Sequence, residues 1–149
     1  MNCNVKNKFD KESYLARREE ILRKEREGLI KYFEEMTPFN TVDDIPEIPV
    51  VDEEVYNGVI VPNLLRCGAI PKEELMDGWT YIGNCRNTHR ATWNEGLNTF
   101  LYTRYKFGFS QIARVKHFQD EDFKGYDLFV PIKAEGIHPY EKIRQKMEF

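Results

Sequence analysis

"TFLYTRYKFGFSQIARVKHF", residues 99–118, decides the fold. Its side chains alternate with a period of two around Gly108, and aromatic and β-branched residues fill the apolar positions, the pattern of two strands folded back through a tight turn. Parity puts Phe100, Tyr102, Arg104 and Lys106 on one face of the first strand and Leu101, Thr103, Tyr105 and Phe107 on the other. The first face reads as wet and cationic. The second, with Trp79, reads as the apolar wall of a sheet. On the return strand Ile112, Arg114, Lys116 and Phe118 share a face, so the turn is expected to bring Arg104 near Arg114. Two guanidinium groups need an anion between them, whether Asp120, Asp122 or a ligand phosphate.

Outward from this hairpin the pattern repeats in "WTYIGNC" (79–85), "RATW" (90–93) and "YDLFVPI" (126–132), punctuated at 84–88, at "NEG" and at "DEDFKG". Four or five antiparallel strands predict a small barrel or curled sheet of the SH3-like or Tudor-like kind over residues 67–149. The tail "HPYEKIRQKMEF" is expected to close it with a helical turn or two.

Residues 1–36 form the N-terminal part, and from Asp10 they read as one long helix capped by that aspartate. Leu15, Leu22, Leu29 and Met36 recur every seven residues, but Arg18 and Glu25 interrupt the second seam of a coiled coil. The stripe is expected to pack on the chain's own domain, with an oligomer contact as the alternative. Residues 37–66 carry Pro38, Pro46, Pro49 and Pro62 with Asp43, Asp44, Glu47, Asp52, Glu53 and Glu54, and predict an acidic extended linker. It is a solvated strap, or an arm that covers the basic surface downstream. Val59, Ile60 and Val61 are candidates for a short strand within it. A helical turn at Leu64 to Cys67, stopped by Gly68, and another from Pro71 to near Gly78 follow. The fold class is therefore α+β: long N-terminal helix, proline-rich strap, small antiparallel β-domain.

At 149 residues, 41% of them apolar and 32% charged, the chain is one ordinary globular domain with no apolar run near the ~20 residues that span a bilayer. The first residues lack a secretory pattern, so a cytoplasmic location and no membrane partner are expected. Cys3, Cys67 and Cys85 are scattered and read as reduced thiols. The net charge of −3 hides an uneven distribution: Arg86, Arg90, Arg104, Lys106, Arg114 and Lys116 face the single acid Glu95 between residues 86 and 117. Such a segment focuses positive potential suited to phosphate or carboxylate groups.

The turn "NCRNTHR" (84–90) adds asparagine donors and acceptors and the planar forks of Arg86 and Arg90, and beside Trp93 and Tyr102 it can stack a base and hold its phosphate. The expected ligand-binding set is Arg86, Asn87, Arg90, Trp93, Tyr102, Arg104, Lys106 and Arg114, with Arg86, Asn87 and Arg104 foremost. Cys85 and His89 lie four apart without a second ligand pair, so no metal is expected. A nucleophilic Cys85 with His89 or His117 rests on residue types alone, the carboxylates of "QDEDF" read as a charged loop, and there is no glycine-rich phosphate loop. Neither an enzyme nor a cofactor is implied.

The pattern "GNCRNTHRATW", "FLYTRYKFG" and "YDLFVPI" resembles a group of small bacteriophage and prophage proteins with a C-R-N turn, an A-x-W strand, a Y-x-R-x-K-F-G hairpin and a D-x-F-x-P ending. The placement of arginine and asparagine is similar to that of phage sponge proteins, small β-rich oligomers that sequester cyclic ADP-ribose-type signals and cyclic oligonucleotides to silence bacterial immunity. That resemblance implies a viral anti-defence protein, a homo-oligomer, with Asn87 and Arg104 as the ligand-holding pair. The leading expectation is thus non-enzymatic capture of a phosphate-bearing ligand, a cyclic nucleotide signal above others. One alternative is an inhibitor or adaptor that grips a host protein through the helix stripe and the acidic strap. Another is a single-stranded nucleic-acid binder, against which the negative net charge argues.

Overall fold

Five strands form the sheet: β1 (Thr80–Cys85), β2 (Thr88–Asn94), β3 (Thr99–Lys106), β4 (Phe109–His117) and β5 (Leu128–Ala134). The computed structural model describes residues 9–86, 88–120 and 125–136. The strands follow one another around a closed ring, β5 returning beside β1. All neighbours are antiparallel except β4 and β5, which run parallel where Lys116 meets Leu128 and His117 meets Phe129. The all-antiparallel expectation is corrected here by topology: five strands joined in a ring cannot alternate direction all the way round, so one pair must be parallel.

β5 reads as an almost unbroken apolar run because both its faces are covered. Phe129 points into the ring with Tyr81, Trp93, Phe100 and Val115. Leu128 and Val130 point outward, where Phe33, Ile45, Ile48, Tyr56, Ile60 and Leu64 of the N-terminal half cover them. The chain therefore has two apolar clusters, one inside the ring and one between the ring and its helical cover.

The cover begins with α1 (Lys11–Glu35). As expected, the Asp10 side chain accepts from the backbone N–H groups of Glu12 and Ser13. The Ser13 hydroxyl adds a third bond at 2.7 Å, and these contacts hold the Asp10 carboxyl below the usual range. Residues 11–28 are exposed, while Leu29, Ile30, Phe33 and Met36 pack on the outer cluster. Only the last part of the stripe meets the chain's own domain. The helix has no base in its last turn. Arg66 supplies one from a distance, donating to the carbonyls of Glu34 at 3.2 Å and Met36 at 3.0 Å.

The strap is not extended throughout. After a 3₁₀ turn at Val42–Asp44, Asp52 caps a helical run made of α2 (Glu53–Val55), a π turn (Tyr56–Ile60) and α3 (Val61–Arg66). The strand anticipated at Val59 to Val61 is thus corrected to helix. Tyr56, Ile60 and Leu64, four apart, are fully buried, and the Tyr56 hydroxyl donates to the Phe118 carbonyl. This spacing is a helical signal that the β-branched run and Pro62 obscured. Pro62 stands inside this continuous run, at the second residue of α3, and the wider π turn directly before it accommodates a residue that has no N–H to donate. Gly68, with φ +115°, ends the run as expected, and the turn after Pro71 is 3₁₀, at Lys72–Glu74. The tail read as a closing helix lies outside the described residues.

Candidate functional site

β3 and β4 outrun the ring. β2 bonds to β3 only from Thr99 to Leu101, and β5 bonds to β4 only at Lys116 and His117. Beyond them β3 and β4 pair only with each other, from Tyr102 opposite Ala113 to Lys106 opposite Phe109. These rungs make a two-stranded ribbon that projects roughly 15 Å.

Register fixes what each face carries. One face continues the interior of the ring outward: Phe100 and Val115 are buried inside it, Tyr102 is half-buried at its mouth, and Arg104, Lys106, Phe109 and Gln111 follow in the open. The other face carries Thr103, Tyr105, Ser110, Ile112 and, nearer the ring, Leu101 and Arg114. Two expectations are overturned by this register. Leu101, Tyr105 and Phe107 do not build an apolar wall, because the ring closes on the Phe100 side, and Tyr105 and Phe107 are exposed. Arg104 faces Gln111 whereas Arg114 faces Leu101, so the two guanidinium groups stand on opposite sides of the ribbon and need no shared anion. Asp122, one candidate for that anion, lies outside the described residues.

The tip is strained. Lys106 pairs with Phe109, leaving a two-residue loop in which Phe107 has φ +53° and Gly108 φ +80°. Two positive φ values match the primed hairpin turn that favours asparagine followed by glycine. A phenylalanine in this conformation carries a local cost, which points to a use for its side chain. Tyr105, Phe107, Phe109 and Ile112 are 76%, 83%, 71% and 77% exposed. The Lys106 ammonium lies 5.3 Å from the Phe107 ring centre. Among the described residues, Arg104, Lys106 and Arg114 form no ion pair.

The remaining expected residues are placed elsewhere. Arg86, at φ +54° in the β1–β2 turn, lies 5.3 Å from the Tyr126 ring and 4.0 Å from Asp127. Arg90 projects from the outer side of β2 and pairs with Glu135 at 2.8 Å. Trp93 is buried inside the ring, its ring 4.9 Å from that of Phe100. Asn87 lies outside the described residues. Asn84 turns to the strap, its amide donating to the Ile45 carbonyl at 3.5 Å. Arg114 lines a separate cleft of about 610 Å³ with Thr99, Lys116, Asp120 and Asp127, where acids share the walls with bases. Of the expected set, Tyr102, Arg104 and Lys106 therefore share one face. Phe107, Phe109 and Gln111 join them at the tip and on the return strand; the sequence signal for them is the doublet of phenylalanines flanking Gly108.

Of the groups considered for catalysis, Cys85 and His117 are buried, whereas His89 is exposed on β2. Cys85 donates to the Tyr126 carbonyl at 2.9 Å, and burial, with Asp127 assisting, pushes its thiol up to about 11, so it stays protonated. His117 accepts at Nδ1 from the Gln119 backbone N–H at 3.1 Å, which leaves Nε2 to donate to the Ile70 carbonyl at 3.0 Å. Among the described residues no group of three or more His, Cys, Asp or Glu side chains could hold a metal ion, and no helix is long and apolar enough to cross a membrane.

Burial lowers the His117 pKa from 6.5 to about 4. A neutral folded histidine that protonates more readily when unfolded stabilises the fold fully above pH 6.5, and that contribution fades as pH falls towards 4. By linkage the loss is about 2 kcal/mol between pH 7 and pH 5. Urea denaturation at the two pH values is expected to show this loss in the native sequence and to show most of it abolished in His117→Gln. An equal loss in both proteins would refute the assignment.

No family model matches the chain, and no curated protein and no solved structure is significantly similar to it.

Proposed function

We propose that this chain is a non-enzymatic binding protein that captures a phosphate-bearing ligand of the nucleotide class on its β3–β4 ribbon, with the small SH3-like or Tudor-like ring as the scaffold. The observation that carries the reading is the tip: Phe107 is held at φ +53° and exposed, with Lys106 over its ring and Arg104, Phe109 and Tyr102 on the adjoining face. Flat rings stack on bases whatever their identity, and the flanking cations take the phosphates. Arg86 and Arg90 have acidic neighbours of their own and contribute at most general potential. In the phage setting that the sequence resemblance implies, this capture withdraws a nucleotide immune signal from the host.

The same chemistry serves a free cyclic nucleotide and a short single strand, and a titration separates them. The purified chain is mixed with inorganic phosphate, a fluorescent cyclic dinucleotide, an ADP-ribose derivative and a fluorescent six-nucleotide strand. Saturable, salt-sensitive binding to at least one nucleotide probe is expected, with log affinity falling against log salt with a slope of about 1.4 for two phosphate contacts on a single strand. Absence of binding to every nucleotide probe would sink the proposal.

A further inference from the structure

We propose that α1 is an antiparallel dimerisation helix, its partner a second copy of this chain. Residues 11–28 of α1 are exposed, and Tyr14, Leu15, Ile21 and Leu22 lie among them on one side of the helix. Arg18 and Glu25 sit in the middle of that apolar side and stand equally far from the midpoint between Ile21 and Leu22. A two-fold axis through that midpoint lays Arg18 against Glu25 of the second copy, twice, and closes Ile21 and Leu22 on their counterparts. A parallel pair in register would instead set arginine against arginine and glutamate against glutamate. The charges that spoil an ordinary coiled-coil seam thus specify direction and register, a known use of polar seam residues.

Three further observations fit this arrangement. Gly28 weakens a helix interior, yet nothing in its own chain lies within 4 Å of where a Cβ would stand. In the antiparallel pair Leu15 of the second copy lies over Gly28, which makes room for it. Glu19 on one flank comes near Arg26 of the second copy, and Arg26 is already oriented by Asp52 at 3.2 Å and Glu54 at 3.9 Å. On the other flank the bases Arg17 and Lys24 approach, but Lys24 is paired with Glu20 at 3.6 Å. Finally, a groove of about 410 Å³ beside α1, lined by Leu22, Glu25, Leu29, Val50 and Val51, opens where the start of the second copy's helix would lie.

Sedimentation equilibrium of the full chain and three variants tests the proposal. The native chain is expected to dimerise. Arg18→Glu and Glu25→Arg should each weaken dimerisation about tenfold or more by placing like charges across the axis, and the double exchange should restore it to within about threefold. Circular dichroism confirms that each variant keeps its helix. A monomeric native chain, a dimer indifferent to either single reversal, or a double exchange as weak as the single ones would each overturn the antiparallel pairing.

Discussion

Phe100→Ala is expected to remove about 3–5 kcal/mol of stability, a large share of the roughly 5–15 kcal/mol that holds a domain of this size. Phe100 is fully buried and is the hub of the ring's interior. Its ring lies 4.8 Å from that of Phe129, 4.9 Å from Trp93, 6.0 Å from His117 and 6.2 Å from Tyr81, touching all the strands that close the ring. Most pairs are tilted or edge-on, the geometry aromatic quadrupoles prefer. Truncation leaves a cavity whose walls are themselves rigid rings, so little collapse can offset the loss. Urea denaturation followed by tryptophan fluorescence measures the change, since Trp93 lines the same space. A cost below about 1 kcal/mol would mean that this interior is not packed as described.

Gly83→Ala should cost about 3 kcal/mol or more. Gly83 stands on β1 opposite Pro131 of β5, at a shift in register between the two strands. A Cβ there would overlap the carbonyl oxygen of Val130 and come 2.8 Å from the Phe129 ring and from the Pro131 backbone. Backbone cannot yield as a side-chain end can, so the β1–β5 seam must open and the ring with it. Gly96→Ala is the control, because its new Cβ would meet only the Asn94 side chain at 3.5 Å. Equal stability of the two variants would contradict the close approach that shuts the ring.

Period-two patterning made the strands legible, and Asp10 and Gly68 marked the helix starts and stops where they occur. Parity separates the two faces of β3 but does not say which turns inward, because both faces carry aromatic residues and only closure of the ring on Phe100 decides between them. Similarly, the helix through Tyr56, Ile60 and Leu64 was hidden by prolines and β-branched residues whose local preference is overruled by burial of three large side chains on the outer cluster. The basic segment was legible as composition. Its division was not: Arg86 and Arg90 meet acids remote in sequence, Asp127 and Glu135, while Arg104 and Lys106 reach past the last bonded neighbour strand. Parity alone places Phe107 on the sheet's apolar wall, whereas the two-residue turn with Gly108 puts it at the tip.

The most direct test of the binding ribbon is to measure nucleotide affinity and stability together for Phe107→Asn. Asparagine followed by Gly108 is the sequence this turn favours, so the variant should be more stable by about 0.5–1 kcal/mol. Lacking the exposed ring, it should bind the best nucleotide probe about tenfold more weakly, in line with the ~1–3 kcal/mol of one base stacked on an aromatic side chain. Higher stability with weakened binding is the result predicted; unchanged affinity for the nucleotide probe would contradict the assignment of the ribbon as the site.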